Sequence, residues 1–501
     1  MRGLAGRIGD EEFRRFLSDS AFSAAGLVIA GALSMATGIA LARWLGPHGF
    51  GVYSVVLAVL TFAGALGTVG FDYTASRFVS YYVGSGEMPL VRTVIAYTVK
   101  RAACFSLCLS LVIYGCLRSG LAQHSNLSAV TPYAAGLLIA LPALAAQSVL
   151  FHSILGLHAV VARVALEKIA LPALRLIAPF PLVLVCAGKV EAAVNSLFVT
   201  AILATAAAAL VLRKFGSRLP ASVAPTAVEK RRWASYALPN AFFSVQAFIS
   251  SGLGVDVLLV GALMSVVDSG VYSACFRFTL VMLLARAGMD YAFGPRVGRL
   301  FGAGDMAGVR DIYRLTSTVG LGWALPCVAA VMLFSSDLMS LSFGPLYGRG
   351  GPALAILAIG FAFDGGAGCN STLLSMIGKP WLVLANGLTG GVLAVVLCFV
   401  LIPRYGMAGA AAAVTVARST AAVMGTYEIW RIHHIHPFSR SSAKLLVAAA
   451  VAAALGYALE RGARFHGGSG LILLVGAIAV VFISYVAVLG AARFSIRPVE
   501  S

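Results

Sequence analysis

Charged residues are scarce in this chain. They make up 11% of its 501 residues, while hydrophobic residues make up 60% and the mean hydropathy is +0.92. Soluble globular proteins carry about 25% charged residues. The composition therefore excludes an ordinary soluble domain and indicates a polytopic membrane protein.

Acidic residues are the scarcer charged class, with 19 Asp and Glu against 37 Lys and Arg. The sequence offers no large loop with acidic catalytic or metal-binding residues, which argues against a membrane-integral glycosyltransferase or polymerase. It contains no phosphate loop, so we expect no ATP hydrolysis, and we expect that the chain is not an enzyme. The net charge of +18 is spread over many short loops, which argues against nucleic-acid binding.

Cysteine provides no structural framework. All eight cysteines fall in or beside apolar runs, where cysteine behaves as a small hydrophobe. The run His433-His434-x-His436 has only Glu428 as a nearby carboxylate. We therefore expect no disulfide, metal or cofactor. We also expect no cleavable signal peptide, because residues 1–19 are polar and the first apolar run is too long for one.

The apolar runs predict an all-α protein with about fourteen transmembrane helices, each long enough to cross roughly 30 Å of hydrocarbon. The predicted spans are 20–44, 50–71, 98–117, 131–153, 169–187, 192–212, 236–263, 271–293, 316–335, 352–376, 381–402, 408–428, 444–460 and 470–490. They divide the chain into an N-terminal segment (1–19), an N-lobe (20–212), a basic linker (213–235), a C-lobe (236–428) and a final helix pair (429–501).

Lys and Arg are distributed unequally between the two sides of the membrane. With the N-terminus inside, the inner loops carry most of them, and the densest cluster is Lys230-Arg231-Arg232. The positive-inside rule then predicts that both termini are cytoplasmic. The basic cluster is expected to contact anionic lipid head groups.

The chain contains an internal repeat. Gly51-Val52-Tyr53-Ser54 returns as Gly270-Val271-Tyr272-Ser273, and further matched positions are offset by 218 to 222 residues. Because each half holds six spans, the repeat is parallel, and we expect two pseudo-symmetric lobes facing each other across a cleft. The fourth span of each lobe carries a helix-weakening feature, Pro142 and 364–368, which favours a central site.

Several motifs together resemble the bacterial polysaccharide (O-antigen and exopolysaccharide) flippases of the MOP superfamily. They are A-R-x-L-G-P-x-x-F-G-x-Y-S at 42–54, G-F-D-x-x-x-S-R at 70–77, Gly294-Pro295, and L-I-P-x-Y-G-x-x-G-A at 401–410. An arginine-rich first helix, expected of lipid II flippases, is missing. Multidrug exporters of the superfamily share the architecture and remain the alternative.

The resemblance implies transport of undecaprenyl-diphosphate-linked oligosaccharide to the outer leaflet by alternating access. Expected partners are this lipid, membrane lipids, and polysaccharide polymerase and export machinery. A diphosphate needs a cationic path, and a charge facing lipid costs roughly 2.5 to 3.5 kcal/mol or more. Candidate substrate-binding residues are Arg277, Arg418, Arg286, Arg43 and Tyr53. Candidate coupling or ion-pair carboxylates are Asp256, Asp72, Asp290 and Asp364.

One ionic pair is predicted from helix geometry. Asp256 and Arg277 flank the same turn at similar distances on successive antiparallel helices, so they should share a depth well inside the bilayer. Their repeat equivalents, Thr37 and Ala58, are uncharged. We expect one of two roles for the pair. Either it holds these two antiparallel helices together permanently, or it opens when Arg277 binds the diphosphate.

Overall fold

The computed structural model describes residues 10–119, 128–216, 223–251, 254–438, 440–465 and 471–491. All regular elements of these residues are helical. The α-helices, numbered in chain order, are α1 Asp10–Thr68, α2 Phe71–Ser85, α3 Met88–Arg118, α4 Ala134–Gly156, α5 Val160–Val164, α6 Leu171–Ile177, α7 Pro179–Leu182, α8 Lys189–Gly216, α9 Ala227–Ser251, α10 Val255–Leu263, α11 Val266–Gly302, α12 Met306–Phe343, α13 Gly351–Gly366, α14 Asn370–Met376, α15 Pro380–His433, α16 Arg440–Phe465 and α17 Leu471–Ala491. Short 3₁₀ helices cover Ser128–Tyr133 and Pro345–Gly350, and a π-helix covers Ala165–Ala170.

Each of the fourteen predicted spans contains helix among the described residues, which confirms the all-α polytopic fold. Seven stretches of the described residues are long and apolar enough to cross a membrane. Two of the longest contain two predicted spans each, because α1 bends at Gly46 (φ 69°) and α15 bends at Gly406 (φ 60°). Positive φ is permitted for glycine at little cost, so both bends fall at glycine.

The first bend is the charged, glycine-broken stretch between spans one and two. Pro47 follows Gly46 directly, and a residue before proline avoids the helical region of backbone space. Proline is then well suited to the first turn of the next helix, where its missing N–H is not needed. The Gly46-Pro47 pair therefore ends one span and starts the next.

The fifth predicted span is divided into short pieces. Helices α5, α6 and α7 and the π-helix together cover 160–182, with a break at Ala178 between α6 and α7. Pro172, Pro179 and Pro181 lie in this stretch, and proline removes a helical hydrogen bond wherever it is preceded by a full turn.

The paired helix-weakening features of the fourth spans behave differently. Pro142 lies inside the continuous helix α4. The span equivalent to it in the second half is divided, because α13 ends at Gly366 and Gly368 has a φ of +63° before α14 begins at Asn370.

The chain forms two compact units, 1–270 and 271–501. In the first, α4 packs against α2, α3 and α8, with Phe71, Ala102 and Val149 among the buried core residues. In the second, α12 packs against α13 and α16, and one core cluster there includes Leu321, Leu445 and Val481.

Candidate functional site

The first unit contains a polar cavity of about 570 Å³. Its walls come from the second half of α1, the start of α2, the middle of α4 and the broken fifth span. The side chains that can do chemistry there are Asp72, Ser148, His152, Arg163, Glu167 and Arg175. Polar groups enclosed by apolar helices are a common feature of ligand sites.

Helical periodicity explains why these residues share the cavity. On α4, Leu144, Gln147, Ser148 and Phe151 follow the i, i+3, i+4, i+7 spacing of one helix face. That face changes from apolar to polar in its middle, so α4 places an amide and a hydroxyl beside aliphatic groups.

The broken fifth span presents a face with a strict four-residue spacing, Arg163, Glu167, Leu171 and Arg175. In a regular α-helix such residues rotate steadily away from one line, because a turn takes 3.6 residues. The π-helix Ala165–Ala170 has a wider turn and offsets part of this rotation. Local π geometry therefore helps to bring four residues of one span to one cavity.

Asp72 is buried, with 6% of its surface exposed. The Ser148 hydroxyl donates to its Oδ2 at 3.3 Å, and the Tyr73 backbone N–H donates to its Oδ1 at 2.9 Å. Within the described part of the chain, Asp72 makes no ion pair. A buried carboxylate without a paired cation is costly, so this position attracts a positively charged group.

His152 adds a second titratable group to the cavity. Its Nδ1 lies 2.9 Å from the Ser148 carbonyl oxygen, which can only accept, so Nδ1 carries the proton. The neutral ring then keeps Nε2 as an acceptor. The ring also lies 5.5 Å from that of Tyr73, and Ser148 joins His152 and Asp72 into one group.

The Glu167 carboxylate is neutralised by its neighbours. Arg163 Nε and Lys168 Nζ each lie 2.8 Å from one of its oxygens. Glu167 and Arg163 thus contribute polarity to the cavity but little net charge.

Arg175 is the cation that remains. Its Nε is buried and makes no hydrogen bond, and no carboxylate pairs with this side chain among the described residues. The Arg175 side chain lies on the cavity wall. A guanidinium held away from bulk water without a counter-ion attracts an anionic ligand.

The predicted residues of the second unit form a separate group. Arg418 Nη2 lies 2.7 Å from Asp364 Oδ2, and its guanidinium carbon lies 4.2 Å from the centroid of the Phe361 ring. Both charged side chains are about 15% exposed. Arg418, which has no acidic neighbour in sequence, is thus already engaged by an acid 54 positions away.

The other predicted residues are placed individually. Asp256 and Arg277 are buried, at 5% and 7% exposure, and Asp256 Oδ1 accepts from the backbone N–H of Val257 at 2.9 Å. Asp290 is half-buried and accepts from the Thr372 hydroxyl at 3.0 Å.

Arg43 is exposed, whereas Tyr53 is 1% exposed and stacks on Phe50 with ring centroids 6.2 Å apart. A sugar can therefore reach Tyr53 only if the surrounding helices separate. The side chain of Arg286 lies outside the described residues.

Sequence reasoning missed most of the cavity. Of the nine predicted residues, Asp72 alone lines it. Gln147, Ser148 and His152 gave a usable signal, because three polar residues within six positions interrupt an apolar span. The π-helix carries no comparable signal, since its sequence ALEKIA is compatible with an ordinary α-helix.

Family models match both halves of the chain. The model described as polysaccharide biosynthesis protein matches residues 16–289, and the MatE model matches residues 241–400. No curated protein matches the chain.

Solved structures share the fold. A lipid II flippase, MurJ, in an inward closed conformation has a TM-score of 0.73 at 13% identity, covering 95% of this chain and 99% of that one. An inward-facing multidrug resistance MATE family transporter of the MOP superfamily has a TM-score of 0.69 at 16% identity, covering 82% of this chain and 98% of that one. A MOP superfamily transporter from Pyrococcus furiosus has a TM-score of 0.59 at 14% identity, covering 84% of this chain and 95% of that one. At these identities the likeness establishes the fold alone.

Proposed function

Since this chain belongs to the polysaccharide biosynthesis protein family of the MOP superfamily, we propose that it moves undecaprenyl-diphosphate-linked oligosaccharide from the cytoplasmic to the outer leaflet. Both termini lie in the cytoplasm in this proposal, and the membrane is the bacterial inner membrane. Polysaccharide polymerase and export machinery receive the product.

The observation that carries this proposal is the uncompensated Arg175 in a polar cavity of the first unit. A diphosphate cannot cross hydrocarbon unaided, because moving an ion out of water costs many kcal/mol. A guanidinium offers planar, paired donors that match phosphate oxygens. Arg175 therefore binds the diphosphate, while the serine, glutamine and histidine of α4 hydrogen-bond the first sugar.

The cavity volume limits what binds there. About 570 Å³ accommodates a diphosphate and its nearest sugar, not a whole oligosaccharide. The remaining sugars lie outside this cavity and the lipid tail stays in the membrane. The substrate is accordingly held at its charged end, the part common to all lipid-linked repeat units.

Asp72 is the carboxylate best placed to couple transport to a cation gradient. It lies in the same cavity and is held only by neutral donors. Asp364 is engaged by Arg418, and Asp290 accepts from Thr372. Cation binding at Asp72 then changes the net charge of the cavity at the moment when the diphosphate must leave.

A secondary exporter of small amphiphilic molecules is the second candidate. The MatE model matches residues 241–400, and the cavity volume lies within the usual range for small-molecule sites. The two candidates differ in the size and charge of the cargo.

The deciding experiment measures lipid-linked oligosaccharide in the inner leaflet of a strain that lacks this protein. Flippase function predicts accumulation there and loss of surface polysaccharide, both restored by the wild-type chain. Sensitivity to amphiphilic drugs without accumulation supports the exporter and rejects the flippase.

A further inference from the structure

Two arginines from different helices of the first unit stack on one aromatic pair. Phe78 of α2 and Tyr236 of α9 meet edge to face, with ring centroids 5.7 Å apart. The Arg77 guanidinium carbon lies 4.3 Å from the Tyr236 centroid, and that of Arg232 lies 5.4 Å from the Phe78 centroid. Both distances are within the range of cation–π attraction. Each guanidinium group is therefore held by the aromatic ring that the other helix contributes.

Helix α9, which carries Arg232, is attached to α2 through the residue that follows Arg232. The Trp233 side chain is fully buried, and its indole Nε1–H donates to the Tyr82 hydroxyl at 3.1 Å. Because Arg232 immediately precedes this anchored tryptophan, its backbone position relative to α2 is fixed.

The first turn of α9 is closed by a capping box. The Thr226 backbone N–H donates to Glu229 Oε2 at 2.7 Å, and the Glu229 N–H donates to Thr226 Oγ1 at 3.2 Å. Glu229 is the nearest acid along α9, and its carboxylate is occupied in this cap.

Positive charge exceeds negative charge at this place, where Glu229 and Glu87 are the carboxylates that act on Tyr82 together with Arg232. Arg77 and Arg232 are exposed and make no ion pair within the described residues, and Lys230 and Arg231 are exposed beside them. Like charges brought together by packing repel each other, so a bound anion stabilises the arrangement.

The helix length places the pair at the level of lipid head groups. From the Gly46 bend to its end at Thr68, α1 runs 22 residues, or about 33 Å, which is about the thickness of the hydrocarbon core. Arg77 lies beyond that end, on α2. Tyr81 is 49% exposed and Tyr97 lies 5.2 Å from the Trp233 ring, which is typical of the aromatic belt at a membrane surface.

We propose that Arg77 and Arg232 form a binding site for the head-group phosphate of an anionic phospholipid. The stacked guanidinium groups keep their N–H edges available for phosphate oxygens, which lysine could not match with a planar fork. The site holds α9 to the membrane surface and is separate from the transport cavity. It does not depend on which substrate is transported.

The test uses the purified full chain, with native mass spectrometry counting bound dioleoyl-phosphatidylglycerol against dioleoyl-phosphatidylcholine. The double variant Arg77→Gln with Arg232→Gln should bind phosphatidylglycerol roughly 30-fold more weakly, at the usual contribution of a basic residue near a lipid surface. Arg92→Gln with Arg213→Gln is the matched control. It removes the same charge from exposed residues of the same unit, for which no ring contact is described.

A third variant, Arg77→Lys with Arg232→Lys, keeps the charge and the fold but removes the planar fork. Our proposal expects it to lose most of the phosphatidylglycerol preference. Full binding by the lysine variant, or an equal loss in the matched control, would show diffuse charge attraction and overturn the site. Unchanged binding by the glutamine variant would overturn it as well.

Discussion

Gly51 and Gly270 pack backbone against backbone in the first unit. A β-carbon on Gly270 would lie 2.8 Å from the Gly51 amide nitrogen and 2.9 Å from its α-carbon. The contact is reciprocal, because Gly51 faces the Val266 carbonyl and Gly270 faces the Pro47 carbonyl, and both equivalent pairs are 219 residues apart. The equivalent glycines and their equivalent carbonyl partners thus meet at one close backbone contact.

The glycine contact predicts an unusual effect of alanine. Gly51→Ala in a helix normally gains up to about 1 kcal/mol from helix propensity. Here the added methyl group would lie 2.7 Å from the Val266 carbonyl carbon, so we expect a loss of about 1 to 3 kcal/mol. Thermal unfolding in detergent measures it. Gly84→Ala, which meets nothing within 4 Å, is the control and should be neutral or stabilising; equal behaviour of the two variants would reject the close contact.

A second prediction concerns Arg175. Arg175→Ala should lower glycan export tenfold or more, since a hydrogen bond to a charged group is worth about 1.5 to 3 kcal/mol. Arg175→Lys should restore part of it, because a charge remains without the planar fork. Surface polysaccharide and membrane protein level are measured together. Arg213→Ala, on the exposed end of α8, is the control, and normal export by Arg175→Ala would remove this residue from the site.

The ion pair of Arg418 and Asp364 predicts strong coupling between the two side chains. Breaking a mostly buried pair leaves one charge uncompensated and costs about 3 to 5 kcal/mol. We therefore expect Asp364→Asn to destabilise the protein more than Asp364→Asn combined with Arg418→Gln. Unfolding midpoints of both singles and the double form a mutant cycle. Additive losses would mean that the pair contributes nothing as a pair.

The predicted pairing of Asp256 with Arg277 is tested by exchanging the charges. Arg277→Ala and Asp256→Asn should each reduce glycan export, because both positions are buried and a lone charge there is costly. The swapped variant, Asp256→Arg with Arg277→Asp, separates the two roles. Export at the wild-type level, with normal protein amount, indicates a static pin. A swapped protein that is stable but inactive indicates that Arg277 itself engages the diphosphate.

The repeat also predicts the relation between the halves. We expect spans one to six to superpose on spans seven to twelve by rotation about an axis near the membrane normal, with the last hairpin outside the symmetry. An experimental structure in lipid checks this directly. Halves related by an inverted repeat, with opposite orientations in the membrane, would contradict this prediction.

Hydropathy alone determined the class, the helical spans and the expected sidedness of the chain, because a run of about twenty apolar residues must cross the bilayer whatever its neighbours are. Motif spacing likewise determined the repeat and the family, since both depend only on positions along the chain. The Gly46 bend falls between the first two predicted spans, 20–44 and 50–71, and glycine followed by proline is a local backbone property.

Only the tertiary structure decided which charges meet. Asp72 and Ser148 are 76 residues apart, Arg418 and Asp364 are 54 apart, and Arg77 and Arg232 reach a shared aromatic pair from separate helices. Each juxtaposition depends on how a helix is rotated and where it crosses its neighbour. Helix rotation is set by packing of side chains from several spans, so a one-dimensional pattern of apolar residues does not contain it.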